Sequence, residues 1–124
     1  MTRDVVSDGL NQMMNALRAR KNSVTLRYHS KLLMSVLAIA KLRGYVRSYQ
    51  IEEGKLKIVF DKLNACNAIK PRFMVNVEEI DIYIKRYLPA KDIGTIIIST
   101  NQGLMTHQTA QDKNVGGSLI AYFY

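Results

Sequence analysis

Four consecutive residues, Thr95-Ile96-Ile97-Ile98, constrain this chain more than any other stretch. The run is short, β-branched at every position and bounded by Gly94, which reads as a buried strand. Four uncharged polar residues follow, Ser99-Thr100-Asn101-Gln102, and Gly103 closes them. No core needs four hydrogen-bonding side chains in succession, so the tetrad is expected to form a loop. Thr106 offers an N-cap for a short helix over 107–114, which Gly116-Gly117 is expected to stop. Ser118 to Tyr124 reads as a terminal strand, with Leu119, Ala121 and Phe123 on one face and Ile120, Tyr122 and Tyr124 on the other.

The chain before this stretch carries two other periods. Val6, Leu10, Met13 and Leu17 fall at helical spacing and predict an amphipathic helix over 4–20, whose opposite face offers Asp8, Asn11, Asn15 and Arg18. Ser23 to Tyr28 alternates as a half-buried strand. Ser30 can cap a second helix with a core stripe of Leu33, Val36, Leu37 and Ala40, ended at Gly44. Tyr45 to Ile51 and Lys55 to Phe60 alternate around Glu52-Glu53-Gly54, a hairpin signal. That order predicts one sheet covered on one face by two helices. Residues 61–67 are polar and without period, so the halves are divided there, as 1–62 and 63–124. Ile69 to Val77 reads as a strand placed at an edge by Pro71. Ile80, Ile84 and Tyr87 space a short helix that Leu88-Pro89 ends. The fold class is therefore α+β: an N-terminal α-β-α-β-β layer and a C-terminal β-rich half with a short helix.

Charge is unevenly distributed over these halves. The chain of 124 residues has a net charge of +8. Residues 1–62 hold twelve basic and five acidic side chains, a balance of +7, whereas 63–124 hold six and five, a balance of +1. An anionic partner is indicated, with the long-range attraction in the first half. No apolar run approaches the roughly 20 residues of a membrane span, and the first residues lack the apolar core of a secretory signal. The single cysteine, Cys66, allows no internal disulfide and fits a reducing compartment.

Catalytic and metal chemistry find little support. Ser99, His29 or His107, and Asp92 or Asp112 make only a nominal triad, without a nucleophile elbow. One cysteine and two histidines cannot close a zinc site. Gly116-Gly117 lacks the lysine of a phosphate-cradling loop. No catalytic residue, metal or cofactor is expected. Nucleic-acid binding remains: the short polar side chains of residues 99–102 suit base edges and 2′-hydroxyls, and Gly103 permits close backbone approach. Lys31, at the first helical position after Ser30, opposes the helix dipole, which an external anion explains. Tyr87 and Tyr122 read either as stacking groups or as core aromatics.

Taken together, the strand, the Ser-Thr-x-x-Gly-Leu-Met-Thr-His segment, the short helix, Gly-Gly and the terminal aromatic strand resemble the C-terminal half of the small-subunit ribosomal protein eight family. Cys66-Asn-Ala-Ile-Lys-Pro-Arg-Phe73 and Lys85-Arg-Tyr-Leu-Pro-Ala90 are similar to its archaeal form. The resemblance spans nearly the whole chain. It implies a non-enzymatic, cytoplasmic constituent of the ribosome that binds the central domain of small-subunit rRNA. It implies as well contacts with neighbouring ribosomal proteins and binding to its own operon's messenger RNA. The resemblance implies RNA contact for Ser99 and Thr100 of the loop and for Ser30 and Lys31; Asn101, Gln102, Gly103, Asn15, Arg18 and Arg72 complete the candidate RNA-binding residues. The chain departs from the archaeal pattern after His107, where Gln108 and Thr109 replace two acidic residues and Lys113 is the one basic residue left. The competing reading is a basic protein–protein adaptor, in which the polar tetrad is incidental.

Overall fold

A computed structural model describes residues 5–70, 72, 74–90 and 93–124. The start of the predicted first helix at residue 4, Pro71 and Asp92 lie outside the described residues. The chain divides into two compact units, 1–67 and 68–124.

The first unit follows from its periodicities. Helix α1 (Val5–Arg18) buries Val6, Leu10, Met13 and Ala16, and helix α2 (Lys31–Leu42) buries Leu33, Val36, Leu37 and Ala40. Burial of each large aliphatic side chain contributes about 1.5–3 kcal/mol. Strands β1 (Ser23–Leu26), β2 (Val46–Glu52) and β3 (Lys55–Phe60) form an antiparallel sheet in the order β1-β3-β2. Along β3, Leu56, Ile58 and Phe60 are buried while Lys55 and Lys57 are exposed, the alternation of a sheet covered on one face. The β2–β3 hairpin turns through Glu53 and Gly54, both at positive φ (53° and 77°), as a two-residue type I′ turn requires.

The second unit holds a five-stranded sheet. Its strands are β4 (Cys66–Ala68), which carries the chain across the division, β5 (Met74–Val75), β6 (Thr95–Thr100), β7 (Gly103–Thr106) and β8 (Gly117–Phe123). Strand β8 pairs with β6 on one side and with β4 and β5 on the other, and β7 lies beyond β6. A 3-10 turn (Val77–Glu79) leads into α3 (Ile80–Tyr87), and the Glu79 carboxylate accepts the Asn76 N–H at 2.9 Å. Helix α4 (His107–Asp112) connects β7 to β8, and the Gln111 amide donates to Asp81 of α3 at 3.0 Å. The core gathers Ile80 and Ile84 of α3, Ile96 and Ile98 of β6, Ala110 of α4 and Leu119 of β8.

Four expectations are corrected. Of the strand expected over 69–77 only the short β5 (Met74–Val75) is found among the described residues, and β4 (Cys66–Ala68) precedes it, starting in the stretch read as an aperiodic boundary. The polar tetrad is not wholly loop, since Ser99 and Thr100 end β6 and pair with Leu104 and Gly103 of β7, a strand the sequence reading lacks. The faces of β8 are not a simple alternation. Ile97 pairs with Ala121 and Ile98 with Leu119, so Ile120 is a bulge. One extra residue reverses the alternation, so Leu119 shares a face with Tyr122 and not with Ala121 and Phe123. Finally, Gly116-Gly117 does not stop α4. Asn114 does, at φ 57°, with the Val115 N–H on the Ala110 carbonyl and the Asn114 N–H on Gln111.

Candidate nucleic-acid interface

The hairpin β6–β7 is the best-defined polar feature of the second unit. Its two-residue turn, Asn101-Gln102, is held from within: the Thr100 hydroxyl donates to the Gly103 carbonyl at 2.9 Å and accepts the Gln102 N–H at 3.0 Å. Gly103 sits at φ 108°, and a side chain there would meet nothing within 4 Å. Backbone conformation, not crowding, requires this glycine, and the surface above it is open. Asn101, Gln102 and Gly103 are exposed, Ser99 and Thr100 half-buried. Among the described residues the Ser99 hydroxyl and the Asn101 and Gln102 side chains have no hydrogen-bond partner. The tip therefore presents donors and acceptors not already used, while Thr100 has its proton committed and one lone pair left.

What fixes the root of this hairpin is a close approach from β8. A Cβ on Gly117 would lie 2.3 Å from the Ser99 carbonyl oxygen, and one on Gly116 2.3 Å from that of Val75. The glycine pair thus seats β8 between β5 and β6. The amino-acid sequence signals the pair but not this use of it. Buried His107 adds a second anchor: its Nδ1 accepts the Ile96 N–H at 3.1 Å, so the imidazole is neutral with its proton on Nε2. With Nδ1 accepting an N–H and the proton on Nε2, neither nitrogen offers the lone pair a general base needs.

In the first unit the predicted residues fall at two places. Ser30 caps α2, its hydroxyl accepting the Leu33 N–H at 3.2 Å, and Lys31 follows it, exposed, at the positive end of the helix. Asn15 and Arg18 lie one turn apart on the exposed side of α1, within its last turns. Arg72 is exposed, between two residues outside the described set. Residues the sequence reading missed are Gln12, Ser23 and Thr25, which line one cleft with Asn15 and with Lys21, one of the basic group that crowds the end of α1. No motif marks them, because they come from a helix, a turn and a strand and meet only in the fold.

Several groups answer to structure. Tyr87 and Tyr122 stack on each other with centroids 5.3 Å apart, and both pack on the core of the second unit. Cys66 is buried, its thiol 3.6 Å from the Leu10 carbonyl, and burial pushes its pKa up to about 12, so it stays protonated at neutral pH. Among the described residues no three His, Cys, Asp or Glu side chains converge as a metal site needs, and no described helix is long and apolar enough to cross a membrane.

One unit thus carries a basic, helix-covered sheet and the other a polar hairpin tip. The sequence matches the family described as Ribosomal protein S8 over residues 4–124. It is 39% identical to the "Small ribosomal subunit protein uS8" of Nanoarchaeum equitans and 38% identical to that of Methanoregula boonei, with all of each chain covered. The chain belongs to the ribosomal protein S8 family. Its members are structural ribosomal proteins, not enzymes.

Proposed function

We propose that this chain is a structural constituent of the small ribosomal subunit, in the cytoplasm, and binds the central domain of small-subunit rRNA directly. Support comes from the names of the two full-length relatives and, on the chain itself, from one observation above the others. The Asn101-Gln102 tip presents unused polar groups at the end of a hairpin braced by Thr100, His107 and Gly117. A preorganised polar tip suits an irregular RNA helix, whose base edges and 2′-hydroxyls accept short contacts. The first half supplies the complementary term. Its +7 balance attracts phosphates without reading sequence, with Lys31 at the capped start of α2 and Asn15 and Arg18 on α1 as contact residues, and Arg72 in the second unit beside them in role. No covalent bond is made or broken. Neighbouring ribosomal proteins, and a messenger from its own operon that presents a similar RNA shape, are further partners in this reading.

The test is an anisotropy titration of the full chain against a central-domain rRNA fragment and a scrambled duplex, across salt. Binding to the fragment that persists at moderate salt while the duplex is lost is the expected result. Equal binding to both, erased together by salt, overturns it and favours a charge-driven protein adaptor.

A further inference from the structure

Three surface clefts differ in one respect that bears on binding. The cleft at the end of α3 carries Asp81 against Lys85, and the one beside the β2–β3 hairpin carries Glu52 and Glu53 against Lys55 and Lys57. Each balances its own charge. The third, about 420 Å³ between α1 and β1, has no carboxylate among the described residues: Gln12, Asn15, Lys21, Ser23 and Thr25 line it with Val24 and two alanines. Amide, hydroxyl and ammonium groups all donate, and a phosphodiester oxygen only accepts.

A second feature of the same place comes from the backbone. Helices α1, α2 and α4 end with one hydrogen-bond pattern, in which a left-handed residue donates three back and its successor six-to-one. In α1 the Arg20 N–H reaches the Leu17 carbonyl and Lys21 that of Ala16; in α2 Gly44 reaches Lys41 and Tyr45 reaches Ala40. The left-handed residue is Gly44 in α2 and Asn114 in α4, the two types that tolerate it best, but Arg20 in α1, at φ 59°. Arg20 lies between two cleft-lining residues, Ala19 and Lys21, and is exposed, as are Arg18 and Lys21. An arginine kept where glycine is favoured costs stability, and a cation needed at that turn accounts for the cost.

We propose that the α1–β1 cleft, with Arg20 in its rim, is a binding site for one backbone phosphate of the bound RNA. The donors of Gln12, Asn15, Ser23 and Thr25 take the phosphate oxygens, and Lys21 and Arg20 supply the charge. The inference rests on the RNA-binding reading above and assigns it a contact that is independent of the hairpin tip.

The variant Arg20→Gly separates structure from binding. It is expected to raise the melting temperature of the full chain by about 2–4 °C, because the left-handed strain is relieved. The same variant flattens the salt dependence of binding to the rRNA fragment by about one unit of log K per log salt. Arg20→Lys, which keeps both the charge and the strained backbone, leaves both quantities near those of the parent chain. A stabilised Arg20→Gly protein with an unchanged salt slope overturns the inference, while the parent chain's preference for the fragment still upholds the RNA-binding reading. Failure of that reading shows instead in the parent chain, as equal binding to fragment and duplex. The Gln12 and Asn15 side-chain amide resonances distinguish the source of the phosphate: shifts with RNA but not with inorganic phosphate are expected, and equal shifts with inorganic phosphate alone overturn the assignment to RNA backbone.

Discussion

The two units of the chain handle polar groups in opposite ways. In 1–67 long charged side chains prevail over short ones in the balance, the sheet has an exposed face bearing Lys55 and Lys57, and the basic excess is +7. In 68–124 the charges nearly cancel. Strand β6 is buried from Thr95 to Ile98, and the side chains at the tip of its hairpin are short and neutral. Long flexible cations hold a partner at a distance and lose little when they are displaced by an ångström. Short hydroxyls and amides act only at hydrogen-bond distance, so their backbone has to be fixed first. Attraction in one unit and recognition in the other follow from that difference in reach. The density of bracing around Ser99 is its structural counterpart.

The comparison breaks most easily at Gly117. Gly117→Val places a side chain where the Ser99 carbonyl already stands, at 2.3 Å from the Cβ position. We expect a loss of about 3 kcal/mol by urea denaturation, along with the preference for the rRNA fragment, while salt-dependent binding to any duplex survives in the chain that still folds.

The hairpin itself sharpens the contrast. Ser99→Ala removes a hydroxyl with no partner among the described residues and is expected to weaken specific binding by about 1–3 kcal/mol with unchanged stability and salt slope. Thr100→Ala also removes the brace on Gln102 and Gly103, so it should lower stability as well by about 1 kcal/mol. If both variants lose equally on specific and scrambled RNA, the tip has no part in recognition.

An alkaline limit should belong to the first unit. The buried Cys66 thiol ionises near 12, against 9.0 for a free thiol. Between those values the unfolded chain loses a proton that the folded chain keeps, so stability falls as pH rises above about 9 and is unaffected below it. The slope approaches about 1.4 kcal/mol per pH unit. Comparing denaturation midpoints of the parent and Cys66→Ala chains over that range should show the shallower slope in the variant; parallel slopes would exclude the thiol as the cause.

The smallest effect concerns Lys31. Lys31→Ala should flatten the salt slope by about one unit and leave discrimination between RNAs intact. It should also slightly raise the stability of the free chain, by a few tenths of a kcal/mol, because a cation leaves the positive end of α2. A drop in discrimination would place recognition in the first unit too, and the contrast between the units would fail.

Local chemistry was legible wherever one residue decides one backbone event. Ser30 and Thr106 cap their helices because their hydroxyls reach an N–H three residues on. Gly44 ends α2, and the spacing of Leu33, Val36, Leu37 and Ala40 leaves no other face to bury. The residues of the polar tip could be named in advance, but not their division into a bracing Thr100 and an unpartnered Ser99. That division depends on a turn whose geometry no single residue type dictates.

The amino-acid sequence by itself determined the order of most elements, the excess of charge in the first half and the site of the polar tip, since periodicity, capping and net charge act within a few residues or add up irrespective of fold. Only the tertiary structure decided the rest. Strand β7 exists because β6 has an edge to pair; Ile120 bulges because β8 must satisfy β6 on one side and β4 and β5 on the other. Gly117 is glycine because of a carbonyl eighteen residues earlier in the chain, at Ser99. Contacts between distant residues are set by packing, and nothing in the local sequence records which neighbour will arrive.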